Sequence, residues 1–329
     1  MSDRTEWSIS APQKLEFEAP VTALNVRVIG GTVNVVGTSD GGPPRLEISE
    51  LTGPPLLVSC RDGVLSIGYE DVTWPGILGQ FDPKEWGRGL FDPKAWRHGL
   101  KGWNPTGWHR SAVISVTVPA ATRVEVGAAT ASAVISGISG RTELRGVSGD
   151  GTLAGLTGPV RADTVSGRIE AQAVTGELRF HSVSGDLTVI EGAGGSVRAD
   201  SVSGDMVLDL DLPPAAPDGT AAARTDINLT TVSGEVAIRL PDPADTRVTA
   251  NTTSGTVSNA FDDLRVSGQW GAKRITGSLG AGTGTLKVTT VSGGLALLRR
   301  PATEEPHGAP GGGADGAAPT GTPTEKKVR

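Results

Sequence analysis

The chain has 329 residues, of which 37 % are apolar and 47 are glycine, and its net charge is −6. A glycine share well above the usual ~7 % predicts many corners or close backbone approaches, and the lack of a Gly-X-Y period excludes collagen. The acidic balance argues against a general nucleic-acid-binding protein.

Residues 1–11 are expected to form an N-terminal arm. They contain no apolar stretch typical of a secretory signal, and the chain has no run of about 18 apolar residues that could span a membrane. We therefore expect a cytoplasmic protein without a transmembrane segment, with a peripheral-membrane or cell-surface location as the alternative. Cys60 is the only cysteine, so it is expected to be a small core residue.

Residues 12–298 are predicted to form one β-strand-repeat domain that begins irregularly. Short alternations of apolar and polar residues, at 24–29, 32–36 and 64–69, indicate strands with one buried face. They lack a fixed spacing, so we expect irregular rungs or an N-terminal cap in this part of the chain.

A segment rich in tryptophan and basic residues interrupts the strands at 70–111. Within it, the ten residues Phe81–Leu90 are repeated as Phe91–Leu100, and the Asp-Pro pair of each copy suits the start of a short helical turn. A long insertion of this kind is usually functional or disordered, and tryptophan and arginine are typical of contact sites. The residues predicted to bind a protein, glycan or membrane-surface partner are Trp74, Trp86, Trp96, Trp103, Trp108, Arg88 and Arg97. The alternative is that the tryptophans fold back and cover the open side of the domain.

The middle of the chain carries a short internal repeat. Val-Ser-Gly triplets recur in steps of 18, 18, 19 and 30 residues, and weaker copies lie between the first four. The triplets end at Gly149, Gly167, Gly185, Gly204 and Gly234. Because a nine-residue strand cannot bury its face alone, stacked copies are required. The pattern predicts a right-handed parallel β-solenoid of 18-residue rungs, each rung being two half-turns, and an antiparallel meander is the alternative.

Alternation within each nine-residue unit predicts which side chains point inwards. The second and fourth positions are mostly apolar, as in Val160 and Ala162 or Leu178 and Phe180. The seventh position is also apolar, and we predict that it forms a stacked inward column. Its members in alternate half-turns are Val147, Val165, Val183 and Val202.

Charged residues occupy the positions between the apolar ones. Arg161, Arg179 and Arg198 share one position and would stack as a strip that could bind anions such as acidic polysaccharides. Acidic residues two positions away, such as Asp163 and Asp200, favour pairing within the face instead.

The corners carry a second set of charges. The residues after the triplets include Asp150, Asp186, Asp205 and Glu235, while Arg168 interrupts this column. One carboxylate per corner is too few for calcium, so no metal or other cofactor is predicted. None of the four histidines shares a motif with a nucleophile, and no catalytic residues are predicted.

Two further segments lack strand signals. A proline-rich loop is predicted at 212–220, and the tail at 299–329 is rich in proline, glycine, alanine and threonine. Such a composition cannot supply a core, so the tail is expected to be disordered.

The repeated Thr/Ser-Val-Ser-Gly sequence resembles the bacterial "putative adhesin" family of β-strand-repeat domains. Copies lie at Thr164–Gly167, Ser182–Asp186, Ser201–Asp205 and Thr231–Glu235, and Val288–Leu297 is similar to the family's last rung. The resemblance covers residues 12–298 and implies a β-strand-repeat fold, no catalytic residues and a largely unknown function.

These observations favour a non-enzymatic, adhesin-like binding or scaffold protein of unknown ligand. The alternative is a peripheral membrane or cell-envelope stress module attached through the tryptophan-rich segment. A polysaccharide-acting enzyme on a β-helix is a third possibility, which rests on fold analogy alone.

Overall fold

The computed structural model describes residues 5–70, 110–193, 195–211, 225–269 and 271–300. They form an all-β protein of two long sheets, with no helix among the described residues. The insertion at 71–109, the loop at 212–224 and the tail from 301 lie outside the described residues.

The first sheet has 14 strands and the second has 12. In spatial order, the first sheet contains β1 (Glu6–Ile9), β6 (Leu56–Arg61), β7 (Val64–Gly68), β3 (Ala23–Val28), β9 (Arg123–Ala128), β11 (Thr142–Gly146), β13 (Val160–Thr164), β15 (Leu178–Ser182), β17 (Ser196–Asp200), β19 (Asp226–Thr231), β25 (Gly284–Thr290), β21 (Thr246–Thr252), β24 (Ala272–Leu279) and β23 (Arg265–Gln269). The second contains β2 (Gln13–Glu16), β5 (Arg45–Thr52), β8 (Ser111–Pro119), β4 (Gly30–Thr38), β10 (Ser132–Ser136), β12 (Gly151–Ala154), β14 (Ile169–Gln172), β16 (Leu187–Gly192), β18 (Met206–Leu210), β20 (Val236–Leu240), β26 (Leu295–Arg299) and β22 (Val257–Asn259).

Strands β9 to β20 alternate between the two sheets along the chain, and every pairing among them is parallel. Thr142 pairs with Val160 and Val160 pairs with Leu178, so these partners are 18 positions apart. Leu178 then pairs with Val197. The central part of the protein is therefore a stack of parallel rungs, and the antiparallel meander is excluded for the repeat.

The core lies between the sheets and follows the predicted alternation. Leu144, Ala162 and Phe180 occupy equivalent positions on three successive strands of the first sheet, and all three are buried. Leu153 and Ala171 do the same on the second sheet. No single rung encloses a core, so the apolar side chains of each rung must be buried against those of the rungs above and below.

The predicted inward column of valines is wrong. Val147, Val165, Val183 and Val202 are only partly buried, and their successor Val232 is 43 % exposed. From Val165 onwards, the residue before each triplet points inwards instead, whereas Gly146 occupies this position before Val147. This buried column is polar and consists of Thr164, Ser182, Ser201, Thr231, Thr290 and Thr252.

Each buried hydroxyl at this corner has a structural role. The Ser182 Oγ accepts a hydrogen bond of 2.6 Å from the Gly185 amide, and the Ser201 Oγ accepts one of 2.9 Å from the Gly204 amide. The same contact recurs between Thr231 and Gly234 at 3.1 Å. A hydroxyl is small enough for the narrow end of the core and satisfies an amide that turns away from the ladder.

The glycines of the triplets form a column in which successive backbones nearly touch. A Cβ on Gly204 would lie 1.9 Å from the Gly185 carbonyl oxygen, and one on Gly234 would lie 1.9 Å from that of Gly204. Neither glycine has a positive φ. Glycine is thus required here because the rungs approach closely.

Antiparallel strands close the N-terminal end. In the first sheet, β1 pairs antiparallel with β6 and β6 with β7, while β2, β5 and β8 repeat this arrangement in the second. The rung of β3 and β4 lies between that of β7 and β8 and that of β9 and β10. Spatial order therefore departs from chain order, and the strand β1 lies within the predicted N-terminal arm.

The C-terminal end also departs from chain order. The last rung in sequence, β25 and β26, is inserted between the rung of β19 and β20 and that of β21 and β22. The hairpin of β23 and β24 then pairs antiparallel with β21 and ends the first sheet.

Candidate functional site

The arginine strip lies on the outer face of the first sheet. Strands β13, β15 and β17 place Arg161, Arg179 and Arg198 in direct register. Each has a carboxylate partner: Arg161 Nε lies 2.7 Å from Asp163, Arg179 Nη2 lies 2.7 Å from Glu177, and Arg198 Nε lies 3.2 Å from Asp200. The strip therefore exists as a row, but its charges are neutralised within the face.

The row continues to β11, where a carboxylate replaces the arginine. The Glu143 side chain is only 7 % exposed and lies 2.8 Å from Arg141 Nε and 3.2 Å from Arg145 Nη2. Arg123 approaches it at 3.9 Å. A buried carboxylate surrounded by arginines is a structural ion cluster, because loss of one partner would leave a desolvated charge. The sequence contained this signal as alternating Arg and Glu at Arg141–Arg145.

His181 lies among acidic neighbours on the same face. Its Nδ1 is 3.4 Å from Asp200 Oδ2. Burial alone would raise the pKa of Asp200, but hydrogen bonds from His181 and Arg198 outweigh burial and lower the pKa below its usual value. Asp200 thus stays ionised and binds both side chains, so it is a structural partner in this face.

The corner acids connect successive rungs. Asp150 Oδ1 accepts a hydrogen bond of 2.9 Å from the Arg168 amide, and Asp186 Oδ1 accepts one of 3.0 Å from the Asp205 amide. The Glu235 amide donates to Asp205 Oδ1 at 2.7 Å. These carboxylates cap backbone amides of the next rung, and no cluster of three or more potential metal ligands occurs in the described part of the chain.

The outer face of the second sheet is much less charged. Its aligned residues across β10, β12, β14, β16, β18, β20 and β26 are mostly small or uncharged: Val134, Thr152, Glu170, Thr188, Val207, Ala237 and Ala296. The main charged cluster here consists of Asp209, Arg239 and Arg300. Asp209 accepts hydrogen bonds from Nε and Nη2 of Arg239 and lies 3.9 Å from Arg300. The hydrogen bonds from Arg239 lower the pKa of Asp209 below its usual value.

The residues that flank the tryptophan-rich segment on either side lie within the described part of the chain. Strand β7 ends at Gly68 and β8 begins at Ser111. Tyr69 is buried, and the Arg110 guanidinium carbon lies 5.4 Å from the centre of its ring. The two ends of the insertion therefore meet at one point. The predicted contact residues Trp74, Trp86, Trp96, Trp103, Trp108, Arg88 and Arg97, and the predicted helical turns, lie outside the described residues.

The described residues contain no helix that is long and apolar enough to cross a membrane.

Comparison with known proteins identifies the C-terminal region. Residues 219–298 match the family model "Toastrack DUF4097". None of the curated proteins matches the chain.

Several solved structures align over most of the chain at low identity. A "putative lipid binding protein" from Parabacteroides distasonis is 11 % identical, with a TM-score of 0.39, 88 % of this chain covered and 98 % of that one. A "putative cell adhesion protein" from Clostridium sporogenes is 11 % identical, with a TM-score of 0.26 and coverage of 88 % and 100 %. A "putative adhesin" from Parabacteroides distasonis is 9 % identical, with a TM-score of 0.31 and coverage of 90 % and 98 %. At these scores the likeness carries no argument about ligand or mechanism.

The family match over residues 219–298 confirms the resemblance to a β-strand-repeat family that the Thr/Ser-Val-Ser-Gly sequences indicated, and this region is similar to Toastrack DUF4097 domains.

Proposed function

We propose that the protein is a non-enzymatic, adhesin-like binding or scaffold protein in which the β-solenoid supports the tryptophan-rich segment as the contact site. The observation that carries this proposal is the meeting of Tyr69 and Arg110 at the base of the insertion. An insertion anchored at one point on a rigid sheet can bind a partner without disturbing the stacked core.

The character of the central faces supports the same proposal. The charged side chains of the first sheet are paired with each other, as Arg161 is with Asp163 and Arg198 with Asp200. Charges that are paired within the face in this way leave little net charge for a partner. By contrast, the insertion concentrates tryptophan and arginine, which dominate the energy of protein contacts.

The absence of enzymatic activity is also part of the proposal. In the central rungs, Glu143, Asp163 and Asp200 are held by arginines, and the corner acids Asp186 and Asp205 accept backbone amides. These contacts engage the carboxylates in the structure. Catalysis by a pair of carboxylates would instead need one of them to exchange a proton.

The proposal also includes the handedness of the coil, the domain boundaries and the cellular location. Parallel crossovers are right-handed in about 98 % of known cases, which favours a right-handed coil of 18-residue rungs. We assign residues 12–298 to this domain, with 70–111 as the insertion and 299–329 as a tail. A cytoplasmic location is favoured, with the membrane periphery or cell surface as the alternative.

The test is a double substitution, Trp86→Ala with Trp96→Ala, in the full chain. We expect urea unfolding to stay unchanged and co-sedimentation with a cell-envelope preparation to fall. Trp7→Ala is the matched control, because Trp7 packs edge-on against Phe17 with ring centres 5.5 Å apart. Its loss should lower stability and leave envelope binding intact.

Two results would contradict the proposal. Loss of several kcal/mol in the double variant would identify the tryptophans as a cover for the core. Unchanged envelope binding in that variant would place the contact site elsewhere. Binding to anionic lipid vesicles that depends on Trp86 and Trp96 would instead favour the membrane-attached alternative, since tryptophan with basic residues suits a lipid interface.

A further inference from the structure

The outer face of the first sheet changes character at its C-terminal end. The register aligns Lys287 on β25, Thr249 on β21, Thr276 on β24 and Arg265 on β23, so these four side chains share one face and one row. The rows on either side contain Arg247 and Ser278, and Thr289, Asn251, Arg274 and Ser267. On this face, the strands β25, β21, β24 and β23 thus present four basic residues, hydroxyls and an amide, with no carboxylate among these aligned residues.

The four basic residues are exposed and have no ion pair within the described part of the chain. Carboxylates near them in sequence are engaged elsewhere: Asp245 accepts from Thr283 Oγ1 at 2.7 Å, and Asp262 lies 3.2 Å from Arg299. Asp263 precedes Arg265 by two residues without pairing to it. The closest carboxylate in the rows is Asp226 on β19, next to the strand of Lys287 and two strands from Arg247, and it marks the boundary of the basic face.

The spacing suits an extended anion. Adjacent strands are about 4.8 Å apart, so Lys287 and Arg265 lie about 14 Å from each other with two threonines between them. Arg247 and Arg274 flank that row on opposite sides. A small anion could contact only one or two of these cations, whereas a linear polyanion could contact all four.

The arginines of the central strip differ from the basic residues of the end face in having carboxylate partners. Arg161, Arg179 and Arg198 each lie within 3.2 Å of a carboxylate on the same face. Their charges are already satisfied, while those of the end face are available to an external ligand. The anion-binding character predicted for the central strip is therefore better matched by the end of the sheet.

We propose that the face formed by Arg247, Arg265, Arg274 and Lys287 binds an acidic, carboxylate-bearing polysaccharide laid across the strands. Arginine pairs with carboxylates through two parallel hydrogen bonds, and the neighbouring threonine, serine and asparagine side chains can bind sugar hydroxyls. The aligned rows contain no apolar side chain that could insert into a lipid bilayer. This site shares no residue with the tryptophan-rich segment, and neither proposal requires the other.

The experiment measures binding of polygalacturonate to the full chain by isothermal titration calorimetry at several salt concentrations. We expect affinity to fall as salt rises, because exposed charges are screened. Arg265→Gln with Arg274→Gln should weaken binding about tenfold, as expected for the loss of two exposed charge pairs. Arg179→Gln with Arg198→Gln is the matched control, since it removes the same charge from the same sheet and should change affinity less than about twofold.

The proposal fails if the wild-type protein does not bind polygalacturonate, or if both double variants lose affinity equally. It also fails if polygalacturonate with methyl-esterified carboxylates binds as well as the free acid. Binding to phosphatidylglycerol vesicles that needs Arg265 and Arg274, without binding to the polysaccharide, would replace it by a lipid surface. Should the Arg265 and Arg274 variant not fold, Arg247→Gln with Lys287→Gln tests the same face from the strands beneath the hairpin.

Discussion

The central rungs and the two ends of the protein solve different physical problems. In the centre, β9 to β20 pair only in parallel, and the corners at Gly185 and Gly204 repeat the same hydroxyl, glycine and carboxylate contacts. At the ends, antiparallel strands pair with the stack and the rungs no longer follow chain order. An interior rung needs identical neighbours, whereas a terminal rung must stop further pairing.

This difference explains where the sequence repeats and where it does not. A strand edge left open is a template for pairing with other chains, so terminal strands are usually short, charged or covered. The C-terminal edge strand β23 is fully exposed and carries Arg265. Regularity in the centre and irregularity at the ends are therefore both functional requirements of one stack.

The largest effect should come from filling a central corner. Gly204→Ala places a Cβ 1.9 Å from the Gly185 carbonyl oxygen, a contact that only a shift of the whole rung can relieve. We expect a loss of more than about 5 kcal/mol or no cooperative folding, measured by urea unfolding. At Gly255 the contact is equally close, but the loss should be smaller because that rung is the last in its column. Gly42→Ala, where an added Cβ meets nothing within 4 Å, should be neutral.

A core truncation tests the same contrast between centre and end. Phe180 is fully buried between central rungs, so Phe180→Ala should lower the free energy of unfolding by about 3–5 kcal/mol. Val266, on the edge strand, is 53 % exposed, and Val266→Ala should change stability by less than about 0.5 kcal/mol. Equal losses in thermal or urea unfolding would mean that the hairpin is as integral to the stack as the central rungs.

The buried and the exposed serine of one corner, Ser182 and Ser184, can be compared directly. Ser182→Ala removes the acceptor for the Gly185 amide in a buried site, so a loss of about 1–3 kcal/mol is expected. Ser184→Ala is the control: its hydroxyl donates to the Val165 carbonyl at 3.2 Å, but its amide donates to the same oxygen at 2.8 Å and remains. If both variants unfold at the same urea concentration, the buried hydroxyl has no capping role.

The smallest expected effect is on the pH dependence of the free energy of unfolding. Because Arg239 lowers the pKa of folded Asp209, this carboxylate stabilises the protein above the unfolded value of about 3.9 and stops doing so as pH falls through its lower folded pKa. Asp209→Asn should therefore reduce stability at pH 6 by about 1 kcal/mol or less, and the difference should shrink as pH falls below about 3.9 and through the lower folded pKa of Asp209.

Asp262→Asn removes the same charge at the C-terminal end, where the carboxylate is fully exposed. We expect this variant to match the wild type at every pH in guanidinium unfolding. A pH-independent difference for Asp209→Asn would show that its contribution does not depend on ionisation.

The alternation of apolar residues predicted the strands and much of the core, and the 18-residue repeat predicted their parallel stacking. Leu144, Ala162 and Phe180 are buried as predicted, because period-two alternation is a local property of each strand. The valine column was wrong because the corner, where the chain turns, does not continue that alternation. Thr or Ser at 164, 182, 201 and 231 was the available signal, since a small hydroxyl before four of the five Val-Ser-Gly triplets suits a buried cap.

The ends could not be predicted in the same way. The pairing of β19 with β25 joins residues that are 59 positions apart, from Asp226 to Thr285, and no local pattern specifies it. The basic end face was also missed, because Arg247, Arg265, Arg274 and Lys287 are adjacent only after β25 enters the stack. The tryptophan-rich segment remains a prediction from composition, anchored by Tyr69 and Arg110.

The insertion of the last rung has a consequence for biosynthesis. During translation, domains fold from the N-terminus as residues leave the ribosome. Strands β9 to β20 can add to the growing stack in order, but β21 to β24 leave the ribosome before the layer on which they rest. They cannot pair until residues 284–299 have formed β25 and β26, so the C-terminal end strands β21 to β24 are synthesised before the rung on which they pack. A chain that stops before Gly284 would therefore lose the layer beneath these end strands, and its unattached hairpin would be the first part exposed to proteases.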